Sequence, residues 1–225
     1  MPTPPPSSPS PTQAQRSARS RTALLESAAR GLSRNGYGNL VLEEVAREAG
    51  YTRGALYHQF KDKDDLALAA LRWARETWQR EVEKPATRES DPVAALLAIA
   101  RGHAIFCRRR DIALLLMVLR VEFSDREHPI GLEVDRVQAE NVKRLAGLIN
   151  AGRRRGSIPP GPPARAVALA LFGALEGAGI TLAGQAPHDE LLAARATAGM
   201  LGLDATPATL KLRAPITKKQ APRQH

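Results

Sequence analysis

Cysteine occurs once in the chain, as Cys107. No intramolecular disulfide can form, and no Cys/His spacing suits a structural metal, so no metal or cofactor is expected. The sequence also lacks a nucleophile–base pair, a paired His/Glu motif and a phosphate-binding loop, which argues against an enzyme. No long apolar run is evident: a stretch such as Ile112 to Leu119 is far too short to cross a bilayer. The N-terminus, Pro- and Ser-rich from Pro2 to Pro11, has no apolar centre and does not read as a signal peptide. These absences lead to the expectation of a cytoplasmic protein with no membrane partner. Period-two alternation and internal repeats are missing as well, so strands are not expected.

What is present favours helix. The 225 residues are 43% hydrophobic and 25% charged, and are rich in Ala, Leu, Arg and Glu. That length fits one large domain or two small ones. The net charge of +10 suggests a polyanionic partner. Much of it is local, however: Lys211, Arg213, Lys218, Lys219 and Arg223 supply five of those charges in a tail without acids. The tail reads equally as a solvated, disordered segment.

Apolar spacing and capping residues divide the chain into helices. They are expected over about Ala18–Asn35, Leu42–Ala49, Arg53–Phe60 and from Asp62 to about Lys84. After a break at Pro85–Pro92 come Pro92–Arg109, Asp111–Ser124, Pro129–Arg155, Ala164–Ala183 and Pro187–Leu201. The organisation is all-α. A disordered segment (1–15) precedes a three-helix head with a helix-turn-helix (16–62). A helical bundle for ligand binding and dimerisation (63–204) and the basic tail (205–225) follow.

The most informative stretch begins at Leu42. Ala46 is small where a second helix must come close. Gly50 can take the positive φ of a tight turn, and Leu56 points back towards Val45 and Ala49. Thr52 is placed to cap the next helix. The run Gly50-Tyr51-Thr52-Arg53-Gly54-Ala55-Leu56-Tyr57-His58-Gln59-Phe60, then Lys61, Lys63 and Leu66, resembles the signature of the tetracycline-repressor (TetR) family. The resemblance covers about residues 18 to 78.

The resemblance implies a dimeric transcriptional repressor that a small-molecule effector releases from a palindromic operator in double-stranded DNA. It also implies roles for residues. Thr52, Arg53, Gly54 and Ala55 would face bases or nearby phosphates, Tyr57 and His58 the backbone or also a base, and Lys63 a phosphate. Arg53 is the expected base reader, because Arg pairs bidentately with guanine. Two departures stand out. Val41 replaces the usual capping Ser or Thr before the second helix, and Tyr51 replaces a small aliphatic residue. A ligand-independent DNA-binding protein or an activator on the same fold is the alternative.

Beyond the head, the last two helices are the expected dimer surface, through Leu169, Phe172, Gly173, Leu175, Glu176 and Leu191. Gly173, Gly177 and Gly179 would let backbones approach. The candidate lining of an effector pocket is Trp73, Trp78, His103, Phe106, Cys107, Met117, Arg120, Phe123 and Phe172. Most such side chains at helical spacing are simply core. Arg120 must snorkel, pair with Glu122 or Glu176, or meet an anionic ligand. Cys107, beside Arg108 to Arg110, invites a lowered pKa and redox sensing.

Overall fold

The computed structural model describes residues 12–124, 127–182 and 185–203. The Pro/Ser-rich segment 1–11 and the basic tail 205–225 lie outside the described residues. Within them every regular element is helical. The helices are α1 (Gln13–Asn35), α2 (Leu42–Glu48), α3 (Arg53–Gln59), α4 (Lys63–Trp78), α5 (Pro92–Arg109), α6 (Leu115–Phe123), α7 (Pro129–Arg154), α8 (Ala164–Thr181) and α9 (His188–Met200).

Two differences from the sequence reading have local causes. Helix α1 starts at Gln13, not near Ala18, because Thr12 and Gln15 form a reciprocal capping box. The Pro- and Ser-rich composition before it masks that start. Helix α4 does not break at Pro85. It continues through a π-helical turn, Gln79–Glu83, into Lys84–Ala86, which contains the proline.

The chain forms two compact units. Among the described residues, the first comprises 12–75 together with 111–134, and the second 76–110 together with 135–203. In the first, Leu24, Ala28, Leu32, Val45, Ala46, Leu56, Phe60 and Leu66 form a buried core joining α1 to α4. Helix α6 packs on α1, so residues 111–134, assigned to the bundle from sequence, belong with the head. In the second, α5 packs against α8, α9 and the π-helical turn. Asp91 caps α5 through the Ala94 amide at 2.9 Å, with Pro92 in its first turn.

One sequence expectation about length does not hold. Helix α8 has 18 residues at a mean hydropathy of 1.3, enough by length and composition to cross a membrane. Yet Ala168, Leu171 and Leu175 are buried within the unit. Arg165 and Glu176 also interrupt the helix, so it reads as a half-buried helix with an open apolar side.

Candidate nucleic-acid interface

Helices α2 and α3 are joined by a turn that requires glycine. Gly50 sits at φ +78, and Tyr51 closes the turn by donating to the Ala46 carbonyl at 2.8 Å. Thr52 caps α3, accepting from the Ala55 amide at 3.2 Å. Val41, at the start of α2, makes no side-chain cap. Leu56 and Phe60 fix the inner side of α3. Thr52, Arg53, Gly54, Tyr57 and His58 are exposed and Ala55 is half-buried. All six therefore lie on one short, rigid element.

Arg53 is held without being buried. Its Nη1 lies 2.7 Å from Glu43, and its guanidinium stacks 5.3 Å from the Tyr57 ring. Lys63 is held more tightly than expected. Its Nζ donates to the Gly38 carbonyl at 3.2 Å and sits 4.6 Å from the Tyr37 ring centroid. The first turn of α4 is capped by Asp62, which accepts from the Asp65 amide at 2.8 Å.

Sequence reasoning missed the residue that joins α6 to the head. Glu122 places one oxygen 2.6 Å from the Tyr37 amide and the other 2.6 Å from the Gly38 amide. Nearby, the Tyr37 hydroxyl donates to Asp64, and burial followed by that bond pushes the phenol up to about 12. Phe123, expected in the pocket, packs edge-on against Tyr37 at 5.4 Å and stacks on His128 at 4.6 Å. It is thus part of this join.

The remaining pocket candidates are divided between the two units. Trp73, Met117 and Arg120 belong to the first unit, whereas His103, Phe106, Cys107 and Phe172 belong to the second. An open groove along α5, lined by Glu89, Asp91, Val93, Ala94, Leu97, Ala98 and Arg101, includes none of them. The second unit instead gathers a buried polar cluster. The Trp78 indole N–H donates to His103 Nδ1 at 3.2 Å. Because an indole can only donate, the proton of the neutral imidazole must sit on Nε2. That nitrogen faces Cys107 Sγ at 3.5 Å and Glu176 at 3.9 Å. Burial lowers His103 to about 4 and raises Glu176 to about 7.

These two shifts oppose each other in their effect on stability. His103, depressed from 6.5, contributes stability above that value that is lost as pH falls through 4. Glu176, raised from 4.5, contributes stability below that value that is lost as pH rises through 7. Their slopes therefore counteract between pH 4.5 and 6.5. Replacing Glu176 with Gln should remove the falling limb and leave stability rising across that window in denaturant titrations. A wild-type-like pH profile would contradict this.

Burial, then the charges of Glu176 and Asp189, raises the Cys107 thiol to about 12. A raised thiol pKa disfavours the thiolate that redox sensing would use. The neighbouring arginines turn elsewhere: Arg108 reaches Asp189 at 2.7 Å and Glu190 at 2.6 Å, and Arg110 pairs with Glu81.

The expected dimer residues also divide. Leu175 is buried beneath α8, Glu176 turns towards His103, and a Cβ on Gly179 would lie 2.7 Å from Cys107 Sγ. Leu175 and Gly179 thus face the interior of the chain, and Glu176 is half-buried. Leu169, Gly173, Gly177 and Ile180 recur every three or four residues on the open side of α8, and Leu192 and Met200 of α9 are exposed as well. Phe172 and Leu191 are half-buried at its edge.

The comparisons with known proteins agree with this geometry. The family model for bacterial regulatory proteins of the tetR family matches residues 24–70. The chain is 32% identical over 141 residues to the HTH-type transcriptional repressor AcnR of Corynebacterium diphtheriae, covering 62% of this chain and 70% of that protein. It is 27% identical to the HTH-type transcriptional regulator TtgR of Pseudomonas putida, over 70% of this chain and 77% of that one. The structure of AibR in complex with isovaleryl coenzyme A and operator DNA superposes with a TM-score of 0.66 at 20% identity, covering 81% of this chain and 96% of that chain.

Proposed function

Since the chain belongs to the TetR family of DNA-binding transcriptional regulators, we propose that it is a dimeric repressor released from a near-palindromic operator by a small-molecule effector. The observation that carries the DNA-contact part is the exposed N-terminal half of α3. There Arg53 is steered by Glu43 and Tyr57 while Leu56 locks the opposite side. A helix presented this way can enter the major groove, whose base edges carry a distinct donor and acceptor pattern.

Arg53 is assigned as base reader. Thr52, Gly54 and Ala55 allow close approach, and Tyr57 and His58 contact the flanking backbone. Lys63 reaches a phosphate by exchanging the Gly38 carbonyl for it. Arg53→Ala should weaken operator binding by about 1–3 kcal/mol and relax preference at one base pair, while binding to unrelated DNA changes little. A titration with both duplexes checks this, and equal losses on the two would contradict the assignment.

Dimerisation is assigned to the open apolar side of α8 and α9. Two copies related by a twofold axis would cover it and set two α3 helices roughly 34 Å apart, one turn of DNA. The effector reading rests on family membership and on AibR, whose structure contains both an acyl-coenzyme A and operator DNA.

A further inference from the structure

We propose that the first turns of α1 form a second DNA-contacting surface, in which Arg16 and Arg19 grip backbone phosphates flanking the site read by α3. The proposal rests on the DNA-binding reading above and extends it beyond the stretch 24–70 shared with the family.

Between Gln13 and Thr22 no residue of α1 is fully buried; the buried face begins at Leu24. About 16 Å of helix, at about 1.5 Å per residue, thus runs ahead of the core. Its charge pattern is unfavourable for an isolated helix. Arg16, Arg19 and Arg21 sit near the positive end of the helix dipole, and the first acid in the chain is Glu26. A segment that breaks a local rule while burying nothing calls for a compensating role.

Its position supplies that role. Ser17, Arg21, Leu24 and Ala28 recur at spacings of four, three and four, so they share one face of α1. Leu24 and Ala28 enter the core. Ser17 and Arg21 instead dock on the end of α3: the Gln59 side-chain amide donates to Ser17 Oγ at 3.0 Å, and Arg21 donates to the Gln59 carbonyl at 2.9 Å. The Arg21 guanidinium also lies 4.4 Å from the Phe60 ring centroid. The extension is therefore fastened to the helix proposed to read DNA.

Arg16 and Arg19 lie off that docked face, exposed, and neither makes an ion pair among the described residues. Two unpaired guanidiniums, three residues apart on a helix with no acid nearby, suit a polyanion with regularly spaced charges. The duplex already engaged by α3 is the polyanion within reach. Phosphate binding of this kind carries no sequence information and adds affinity to any duplex.

The test is a salt titration of the full-length wild type and the Arg16→Gln, Arg19→Gln double variant. The probes are a duplex from upstream of its own gene and a scrambled duplex of equal composition. The double variant should bind both duplexes more weakly by the same factor. Its plot of log affinity against log salt should flatten by about 0.9 for each phosphate that an arginine no longer neutralises. Gln59→Ala, which keeps both arginines but removes the side-chain bond to Ser17 that helps fasten the extension, should shift both curves in the same direction by a smaller amount. Unchanged affinity and slope in the double variant, with wild type binding normally, would overturn this proposal alone. A loss confined to the upstream duplex would overturn the phosphate assignment. Absence of salt-dependent DNA binding by the wild type would overturn the underlying reading as well.

Discussion

Gly173→Arg should leave the proposed dimer as monomers and cost roughly 10²–10⁴-fold in operator affinity, the gain that two linked heads supply over one. The substitution is mild within a single chain. Gly173 is exposed, and a Cβ there meets nothing within 4 Å. Arg is also a better helix former than Gly, by up to about 1 kcal/mol. The effect arises only against a second copy, where twofold symmetry introduces the charge twice into a surface made of Leu169, Gly177 and Ile180. Sedimentation measures the mass and a duplex titration the affinity. A variant that stays dimeric would place the interface elsewhere.

Glu122→Ala should lower stability by about 3 kcal/mol and the melting temperature by roughly 6–12 °C, from the worth of charge-assisted hydrogen bonds and the entropy of a chain this size. Both carboxylate oxygens are in use, each accepting from one amide of the loop after α1. Gly36 opens that loop at φ +74, and a Cβ there would lie 2.8 Å from Glu122 Oε2. Loop and carboxylate therefore fit only one another. Glu122→Gln should be nearly as damaging despite its shape, because its NH2 would face one of the two N–H donors. Thermal melts of the three proteins decide this: recovery of wild-type stability by Gln would mean that the bonds contribute little.

The helix-turn-helix was legible because its requirements are local. Gly50 is needed for a positive φ, Thr52 for a cap, and Ala46 and Leu56 for a close approach of the two helices. All four lie within eleven consecutive residues, 46–56. The start of α5 was legible for the same reason, from Asp91 followed by Pro92. Glu122 was not, since its partners are backbone amides some 85 positions away, and no side chain in the loop announces them.

The inner and outer sides of α8 were only half legible. Helical spacing shows that Leu169 and Leu175 fall on different sides, but not which side meets α5. Only packing identifies Leu175 as interior and turns Glu176 towards His103. The surroundings of the pocket candidates were not legible for a related reason. Aromatic and Met side chains at helical spacing indicate burial without naming the neighbour, and Phe123 turned out to pack on Tyr37 and His128. Cys107 shows the reverse limit: three arginines follow it in sequence, yet Arg108 and Arg110 are engaged by acids on other elements.

The most direct test of the account is a footprint of the purified protein on the DNA upstream of its own gene. A dimer presenting two α3 helices predicts a protected, near-palindromic site with half-sites about one helical turn apart. Salt-sensitive binding without any protected site would contradict it.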